Sequence, residues 1–406
     1  MKATIYPAAL SGDIPAIASK SQAHRLLICA ALADTDTVVR CATLSADIEA
    51  TADCLRALGA KIARTDDAFF VEPIRSLPEK AVIDCGESGS TLRFLLPVLC
   101  ALGVDTTFVM HGRLPERPLS PLWEELERHG ARLSRPTRDT IAVSGSITGG
   151  GYTLAADVSS QFISGLLFSL PLVGGGHIAL TGTLESASYI EMTVRALARF
   201  GVAARFTEGA YDIPAQAGYV SPGDVTVEGD WSNAAFWIAA DRILGGTLNI
   251  TGLDPDSPQG DRAVEKASLR IAAGSAVIDC RDIPDLVPVL SVLAAVSPGQ
   301  TRFINAGRLR IKESDRLATT AALLTALGGQ VEELPEGLNV TGVSRLSGGE
   351  VDSANDHRIA MSAAVAALAC DAPVILHGAQ AVNKSYPAFW TDYRRLGGRV
   401  VLEEEP

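Results

Sequence analysis

The sequence predicts a mixed α/β protein built from six repeats, of which the fourth is shortened. Two recurring patterns and an alternation of helices with strands lead to this class. One pattern is a helix that ends in glycine before a short strand, and the other is a polar turn that opens an apolar helix. Helical segments alternate along the chain with short strands rich in β-branched residues, which is typical of α/β proteins.

A glycine ends a helix five times along the chain, as in "LRALGAKIAR" and "LTALGGQVEE". Glycine just beyond a helix end commonly adopts the left-handed cap conformation. Successive glycines are separated by 71, 71, 127 and 69 residues, so one cap is missing from the long step. The five glycines are Gly59, Gly130, Gly201, Gly328 and Gly397.

A polar turn leads into an apolar helix six times, with steps of 67, 71, 72, 51 and 73 residues between the turns. The short step is about twenty residues below the common period and falls in the stretch that lacks a cap glycine. Two independent series that share a period and a defect favour internal repetition over a coincidence of common joints. The turns begin at Ser19, Gly86, Asp157, Gly229, Cys280 and Ser353.

The first repeat shows the elements of a complete unit in order. Helix "HRLLICAALA", strand "TVVRC" and helix "DIEATADCLRAL" come first, followed by strands "AKIAR" and "AFFVEP" and, after a loop, strand "AVIDC". Helices such as "LLICAALA" are apolar nearly all round, which indicates that they lie inside a core enclosed by other elements.

The fourth repeat keeps two helices and two strands but lacks the cap glycine and the strand pair that follows it elsewhere. Helix "DRAVEKASLRIA" should therefore run through "AGS" directly into strand "AVIDC", with no hairpin between residues 261 and 276. We expect a shorter sheet with an open edge in this repeat. Asp285 should stay in place because it follows the closing strand.

Basic residues lie on or beside the polar turns, although a cation at a helix start opposes the helix dipole. Helix N-termini attract anions through their free N–H groups, so the combination predicts a pocket for a polyanionic ligand. For any single turn, ordinary capping by Ser or Asp is the simpler explanation. The basic residues are Lys20, Arg25, Arg93, Arg316, Arg358 and Lys384.

The composition excludes several other classes of protein. A net charge of −12 argues against a nucleic acid partner. No apolar run is long enough to span a membrane, and the first residues contain no signal core, so we expect a cytoplasmic location. Seven scattered cysteines without a CxxC pair predict buried thiols and no zinc site, and no P-loop, GxGxxG or GxSxG motif is present.

Eleven stretches carry a family pattern in order along the chain: "SKSQAHR", "GESGSTLR", "LPERPL", "DVSSQF", "ESASYIE", "VEGDWS", "QGDRA", "IPDL", "RIKESDR", "NDHRIAM" and "NKSYP". In these stretches the chain resembles the 5-enolpyruvylshikimate-3-phosphate (EPSP) synthase family along nearly its whole length. The resemblance implies an inside-out α/β barrel in each of two domains, each made of three βαβαββ repeats. It also implies that the chain crosses between domains twice, with residues 1–18 and 231–406 in one domain and 19–230 in the other.

The resemblance further implies a transferase that moves the carboxyvinyl group of phosphoenolpyruvate to shikimate 3-phosphate, acting as a monomer without metal or cofactor. Asp285, Glu313 and Lys20 match the catalytic residues. Shikimate 3-phosphate would be bound by Ser21, Arg25, Ser159, Ser160, Gln161, Ser186, Tyr189, Asp285 and Lys312. Phosphoenolpyruvate would be bound by Lys20, Gly89, Arg93, Arg117, Gln161, Arg316, Arg358 and Lys384.

Three alternatives remain open from the sequence. The related transferases that act on UDP-N-acetylglucosamine share the fold, but they pair lysine with asparagine where Ser21 follows Lys20 here, and use a loop cysteine that "MHGRLPERPL" lacks. An inactive anion-binding homologue is the second alternative. The third concerns only "KESDR", which is also typical of a surface helix with ion pairs between successive turns.

Overall fold

The structure is a computed structural model that describes residues 1–215 and 218–404. The chain divides into two compact units, one formed by Met1–Ile17 with Glu228–Pro406 and the other by Ala18–Val227. The domain boundaries given above, at 18/19 and 230/231, stay a prediction.

Twelve α-helices are present in the described residues, and most are two to four turns long. They are α1 (Lys20–Ala31), α2 (Ala46–Ala57), α3 (Gly89–Leu102), α4 (Leu122–Arg128), α5 (Ser160–Ser169), α6 (Ala187–Arg199), α7 (Trp231–Leu244), α8 (Val264–Ala272), α9 (Val287–Ala295), α10 (Arg316–Ala326), α11 (His357–Ala367) and α12 (Phe389–Arg395).

The strands are short, as the β-branched runs of the sequence predict. They are β1 (Lys2–Tyr6), β2 (Gly12–Pro15), β3 (Thr37–Arg40), β4 (Lys61–Arg64), β5 (Ala68–Glu72), β6 (Lys80–Asp84), β7 (Asp105–Val109), β8 (Ala131–Thr137), β9 (Thr140–Gly145), β10 (Gly150–Ala155), β11 (Gly176–Thr181), β12 (Arg205–Thr207), β13 (Ala210–Ile213), β14 (Asp224–Thr226), β15 (Leu248–Thr251), β16 (Ala276–Asp279), β17 (Gln300–Ile304), β18 (Gln330–Leu334), β19 (Gly337–Thr341), β20 (Gly349–Asp352), β21 (Val374–His377) and β22 (Arg399–Glu403).

The unit Ala18–Val227 contains three four-stranded sheets of one design, ordered β14–β3–β5–β4, β6–β7–β9–β8 and β10–β11–β13–β12. In each sheet the first two strands are parallel, and the other pairs are antiparallel. The strands alternate buried and exposed residues, as in β6, so one face of the sheet packs inward. Three complete repeats therefore build this unit.

Helices α1, α3 and α5 are buried on nearly every side, as their apolar sequences predict. Helices α3 and α5 pack against each other inside the unit. Gly165 makes this close packing possible, because a Cβ there would lie 2.3 Å from the backbone oxygen of Arg93. Helices inside and sheets outside give the predicted inside-out α/β arrangement.

The other unit contains two four-stranded sheets of the same design, β16–β17–β19–β18 and β20–β21–β1–β22. In the second of these, β1 from the start of the chain lies antiparallel between β21 and β22. Ile5 pairs with Val374 on one side and with Val400 on the other. Helices α9 and α11 are buried along their whole length.

The third sheet of this unit has only two strands, β15 and β2, which run parallel with Ile250 opposite Ile14. They correspond to the parallel pair of a complete sheet. The described residues between Thr251 and Ala276 form a 3₁₀ turn and α8 but no strand, and the chain passes from α8 into β16 through three residues. The predicted loss of the hairpin in the fourth repeat is confirmed.

Two smaller expectations are also confirmed. The five cap glycines all have positive φ angles, between 74° and 116°. All seven cysteines are free and buried. Within the described part of the chain, no helix has both the length and the hydropathy needed to cross a lipid bilayer.

Candidate active site

Two arginines converge on Gly89, the first residue of α3, in the unit Ala18–Val227. A Cβ on Gly89 would lie 2.5 Å from Nη1 of Arg117 and 2.6 Å from Nη1 of Arg93. Burial lowers the pKa of Arg93, and the neighbouring charge of Arg117 lowers it further. Two guanidinium groups beside a helix N-terminus form a strongly positive surface, which an anion would stabilise.

Gln161 connects this positive cluster to the start of α5. Its side-chain oxygen accepts a hydrogen bond from Nη1 of Arg93 at 3.1 Å, and its Nε2 donates to the hydroxyl of Ser90 at 2.9 Å. Ser159 caps α5 by accepting from the backbone N–H of Gln161. The structure therefore brings Gly89, Arg93, Arg117, Gln161 and their serine neighbours together.

Arg25 forms a second group with the start of α6. Its side chain is 2% exposed, and it donates to the backbone oxygens of Ser21 and Tyr189 and to the hydroxyl of Thr193. Burial lowers its pKa to about 10, so it stays charged at neutral pH. Ser186, just before α6, has φ of 54°, a strained conformation for a residue other than glycine.

Lys20 opens α1 and pairs with a carboxylate that was not predicted from the sequence. Its Nζ lies 2.8 Å from Oδ2 of Asp47, in the first turn of α2. Both side chains are largely buried, with 16% and 13% exposure. Asp47 could be read from the sequence only as an acidic residue in a first helical turn, which is common and carries no functional signal.

In the other unit, Arg316 lies in the middle of a cluster of acids. Its Nη1 donates to Oδ1 of Asp285 at 2.7 Å, its Nε donates to Oδ2 of Asp356 at 2.7 Å, and Glu313 lies 3.5 Å from Nη2. Burial by itself lowers the pKa of Arg316, but the carboxylates of Asp356, Asp285 and Glu313 together raise it above its ordinary value. The group is permanently charged.

Arg358 holds the other side of Asp285. Its Nη2 donates to Oδ2 of Asp285 at 3.0 Å, and its Nη1 donates to the backbone oxygen of the same residue. Burial tends to raise the pKa of Asp285, but the adjacent Arg358 and Arg316 hold it well below its ordinary range, with help from Lys312. Asp285 is therefore an anion held between two fixed cations.

Oε2 of Glu313 lies within hydrogen-bond distance of Nδ1 of His357, at 2.7 Å. His357 and Asp356 open α11 directly before Arg358. Lys384 donates to the backbone oxygen of Asn355 at 2.6 Å, in the turn that precedes α11. The alternative in which "KESDR" forms a surface helix is wrong, because the Arg316 side chain is only 3% exposed.

Residues 6–393 match the family model described as EPSP synthase (3-phosphoshikimate 1-carboxyvinyltransferase). The chain belongs to the EPSP synthase family. It is 40% identical to proteins named 3-phosphoshikimate 1-carboxyvinyltransferase from Clostridium acetobutylicum and Clostridium perfringens, over 98% of this chain and 97% and 98% of theirs.

Solved EPSP synthase structures from Acinetobacter baumannii show the same fold. One covers 99% of this chain and all of its own, with a TM-score of 0.81 and 23% identity. The alignment with the Clostridium acetobutylicum relative spans 424 positions, more than the 406 residues of this EPSP synthase family member. The relative thus has residues without a counterpart here, in agreement with the loss of a hairpin.

In addition to Asp47, the candidate site of this EPSP synthase family member includes four residues that were not predicted from the sequence. Asp356 and His357 stand next to Arg358 in "NDHRIAM", so the motif itself was the available signal. Ser232 and Asp261 lie in "VEGDWS" and "QGDRA", but their roles depend on a tertiary contact with Arg358. No spacing rule in the sequence indicates that contact.

Proposed function

We propose that this enzyme transfers the carboxyvinyl group of phosphoenolpyruvate to the 5-hydroxyl of shikimate 3-phosphate and releases phosphate. The family assignment over residues 6–393 carries this proposal. The geometry supports it, because each unit holds buried guanidinium groups at helix starts. Such groups bind phosphates and carboxylates through paired hydrogen bonds.

The proposed binding roles follow the two units. Phosphoenolpyruvate would be held by residues of both units. They are Lys20, Gly89, Arg93, Arg117 and Gln161 in one unit, and Arg316, Arg358 and Lys384 in the other. Shikimate 3-phosphate would be held by polar residues of the unit Ala18–Val227, together with Asp285 and Lys312 of the other unit. The residues of the first unit are Ser21, Arg25, Ser159, Ser160, Gln161, Ser186 and Tyr189. We propose that the two compact units are the two domains of the enzyme.

The chemistry would proceed by addition and elimination. The 5-hydroxyl oxygen bonds to the central carbon of phosphoenolpyruvate while the methylene carbon gains a proton, and the hydroxyl proton passes to a base. The tetrahedral intermediate then loses phosphate as the new methyl group gives up one proton. Asp285, Glu313 and Lys20 are the candidates for these transfers. Asp285 and Glu313 lie beside Arg316, and Lys20 pairs with Asp47.

Asp285 is suited to accept a proton only transiently, because Arg316 and Arg358 hold its pKa low. Glu313 contacts His357, so a proton could move between the two groups. Neither transfer needs a metal or an organic cofactor. We propose that the enzyme acts as a monomer in the cytoplasm, where its seven buried thiols would stay reduced.

Release of phosphate from phosphoenolpyruvate tests the proposal directly. We expect release with shikimate 3-phosphate and none with UDP-N-acetylglucosamine, the acceptor of the related transferases. The family model and the relatives described above do not favour that second acceptor. Release only with UDP-N-acetylglucosamine would overturn the assignment, and release with neither would indicate an inactive homologue.

A further inference from the structure

Asp261 is a buried carboxyl group in the shortened fourth repeat that the proposed chemistry does not use. It lies in the 3₁₀ turn before α8, and its residue is 3% exposed. Its Oδ2 accepts a hydrogen bond from the hydroxyl of Ser232, in the first turn of α7. Burying a carboxyl group in this way costs stability, so a compensating role is expected.

The Ser232 hydroxyl connects Asp261 to Arg358 and, through it, to Asp285. Its oxygen accepts a hydrogen bond from Nη2 of Arg358 at 2.7 Å, and the same nitrogen donates to Oδ2 of Asp285 at 3.0 Å. Because the hydroxyl donates to Asp261, its lone pairs face Arg358. The order is therefore guanidinium to hydroxyl to carboxylate, with every hydrogen bond pointing toward Asp261.

The residues around Asp261 hold Ser232 in position. Gln259 accepts from the backbone N–H of Trp231 at 3.0 Å and donates to the backbone oxygen of Gly229 at 2.8 Å. Asp230 caps α7 by accepting from the N–H of Asn233. The stretch from Gln259 to Asp261 thus contacts Gly229, Trp231 and Ser232 at the start of α7.

We propose that Asp261 is a positioning residue that acts through Ser232 to fix the guanidinium group of Arg358 for phosphoenolpyruvate. The proposal rests on the role of Arg358 in the proposed function. It also explains which part of the fourth repeat has been kept. The starts of α7 and α8 remain because they hold Arg358 through Ser232, whereas no site residue of the complete repeats lies on a hairpin strand.

The charge state of Asp261 gives this role a pH dependence. Burial raises its pKa to about 6, and Asp285 and Asp230 add to the increase, while Arg358 and the Ser232 hydrogen bond oppose it. Above this pH, ionised Asp261 is a strong acceptor that orients the Ser232 hydroxyl. Below it, protonated Asp261 can itself donate, so the orientation is lost.

Initial rates of phosphate release, with shikimate 3-phosphate saturating and phosphoenolpyruvate varied, test the proposal. We expect Asp261→Ala and Ser232→Ala to raise KM for phosphoenolpyruvate about tenfold, the effect of one lost hydrogen bond, with little change in kcat. Asp241→Asn is the matched control, because Asp241 accepts from the N–H of Leu248 at the other end of α7. It should leave KM unchanged.

The pH profile separates positioning from a general structural role. Asp261→Asn keeps an acceptor for Ser232 but cannot ionise, so its kcat/KM should fall below that of the wild type above pH about 6 and equal it at lower pH. Because the two enzymes are compared at the same pH, the effect of substrate phosphate ionisation on their rates cancels. A wild-type to variant ratio that is constant with pH would overturn the proposal.

The outcomes also distinguish this proposal from the proposed function. An active wild type whose KM for phosphoenolpyruvate is unchanged by Asp261→Ala and Ser232→Ala would overturn the positioning role alone. A wild type that releases no phosphate would overturn both. Thermal unfolding checks that each variant is folded, and Ser232→Ala carries the test if Asp261→Ala does not fold.

Discussion

The fourth and fifth repeats lie side by side in the sequence and differ by one hairpin. The fifth has a four-stranded sheet that ends in the hairpin of β18 and β19, whereas the fourth has only the parallel pair β15 and β2. Both nevertheless contribute helix starts to one polar cluster: Asp285 and Arg316 from the fifth, Ser232 from the fourth. The hairpin is therefore separable from the site.

The positions of the functional residues explain why. Each predicted site residue lies in a helix or in a turn next to one, and none lies on a strand. The strands form an outer layer that covers the apolar helices, so losing two of them costs buried surface but removes no side chain of the site. A repeat can thus shorten without losing its chemistry, provided that its helix starts remain.

The largest effect should come from removing a proton-transfer group in the complete fifth repeat. Glu313→Gln should lower kcat by about 10²–10⁴-fold and raise KM far less, because the loss is felt in the transition state. Asp285→Asn should also weaken binding of shikimate 3-phosphate. Steady-state assays of phosphate release measure both kcat and KM.

Glu333→Gln is the control within the same repeat, since Glu333 pairs with Arg310 on the hairpin side. It should leave both constants unchanged. Near-normal turnover in Glu313→Gln and Asp285→Asn would contradict the catalytic assignment. It would also contradict the view that functional residues lie at helix starts and not on the hairpins.

Loss of a cation from the cluster should have the next largest effect. Arg358→Ala removes the charged hydrogen bonds that we propose for phosphoenolpyruvate and should raise its KM by roughly 10²-fold. Asp285 keeps its bond to Arg316, so we expect thermal stability to change little. Lys384→Ala should act in the same direction.

Arg345→Ala provides the comparison, because Arg345 is a half-exposed arginine of the same unit that pairs with Asp371. Its kinetics should match the wild type. If Arg358→Ala instead unfolds readily while its folded fraction keeps normal kinetics, the residue is structural.

A smaller effect is expected on stability in the shortened repeat. Asp261 has a folded-state pKa of about 6, above the value of 3.8 for a free aspartate, so the folded state binds its proton more tightly. Ionisation therefore costs stability as pH rises. Asp261→Asn should raise the free energy of unfolding by about 3 kcal/mol at pH 7, and by less as pH falls through 6 toward 4.

Urea unfolding between pH 4 and pH 8 measures this difference, and the same variant at pH 4 serves as its own control. A variant that is equally or less stable than the wild type across the range would contradict the strained state of Asp261. The expected pattern, higher stability with weaker phosphoenolpyruvate use, is typical of residues kept for function.

The smallest effect should appear in hydrogen exchange. Amide groups of β15 should exchange faster than those of β17, because β15 has one partner strand and β17 has two. Mass spectrometry of exchange in the unliganded protein can compare the two strands directly. Equal protection would mean that another element covers the open edge of β15.

Repetition made much of the fold predictable. Cap glycines such as Gly59 and the apolar helix α1 follow from local rules, and the period located the missing hairpin before any tertiary contact was known. The pairing of β1 with β21 and β22 did not follow, because it joins residues hundreds of positions apart. Asp47 and Asp261 were missed for the same reason: their partners are distant in sequence.

The position of β1 has a consequence for how the protein is made. Ile5 leaves the ribosome long before its partners Val374 and Val400 are made. The unit Ala18–Val227 is continuous and can fold during translation, but β1 must wait unpaired until β21 and β22 have been synthesised. Until then the apolar face of β1, formed by Ala3 and Ile5, stays open for a chaperone to shield.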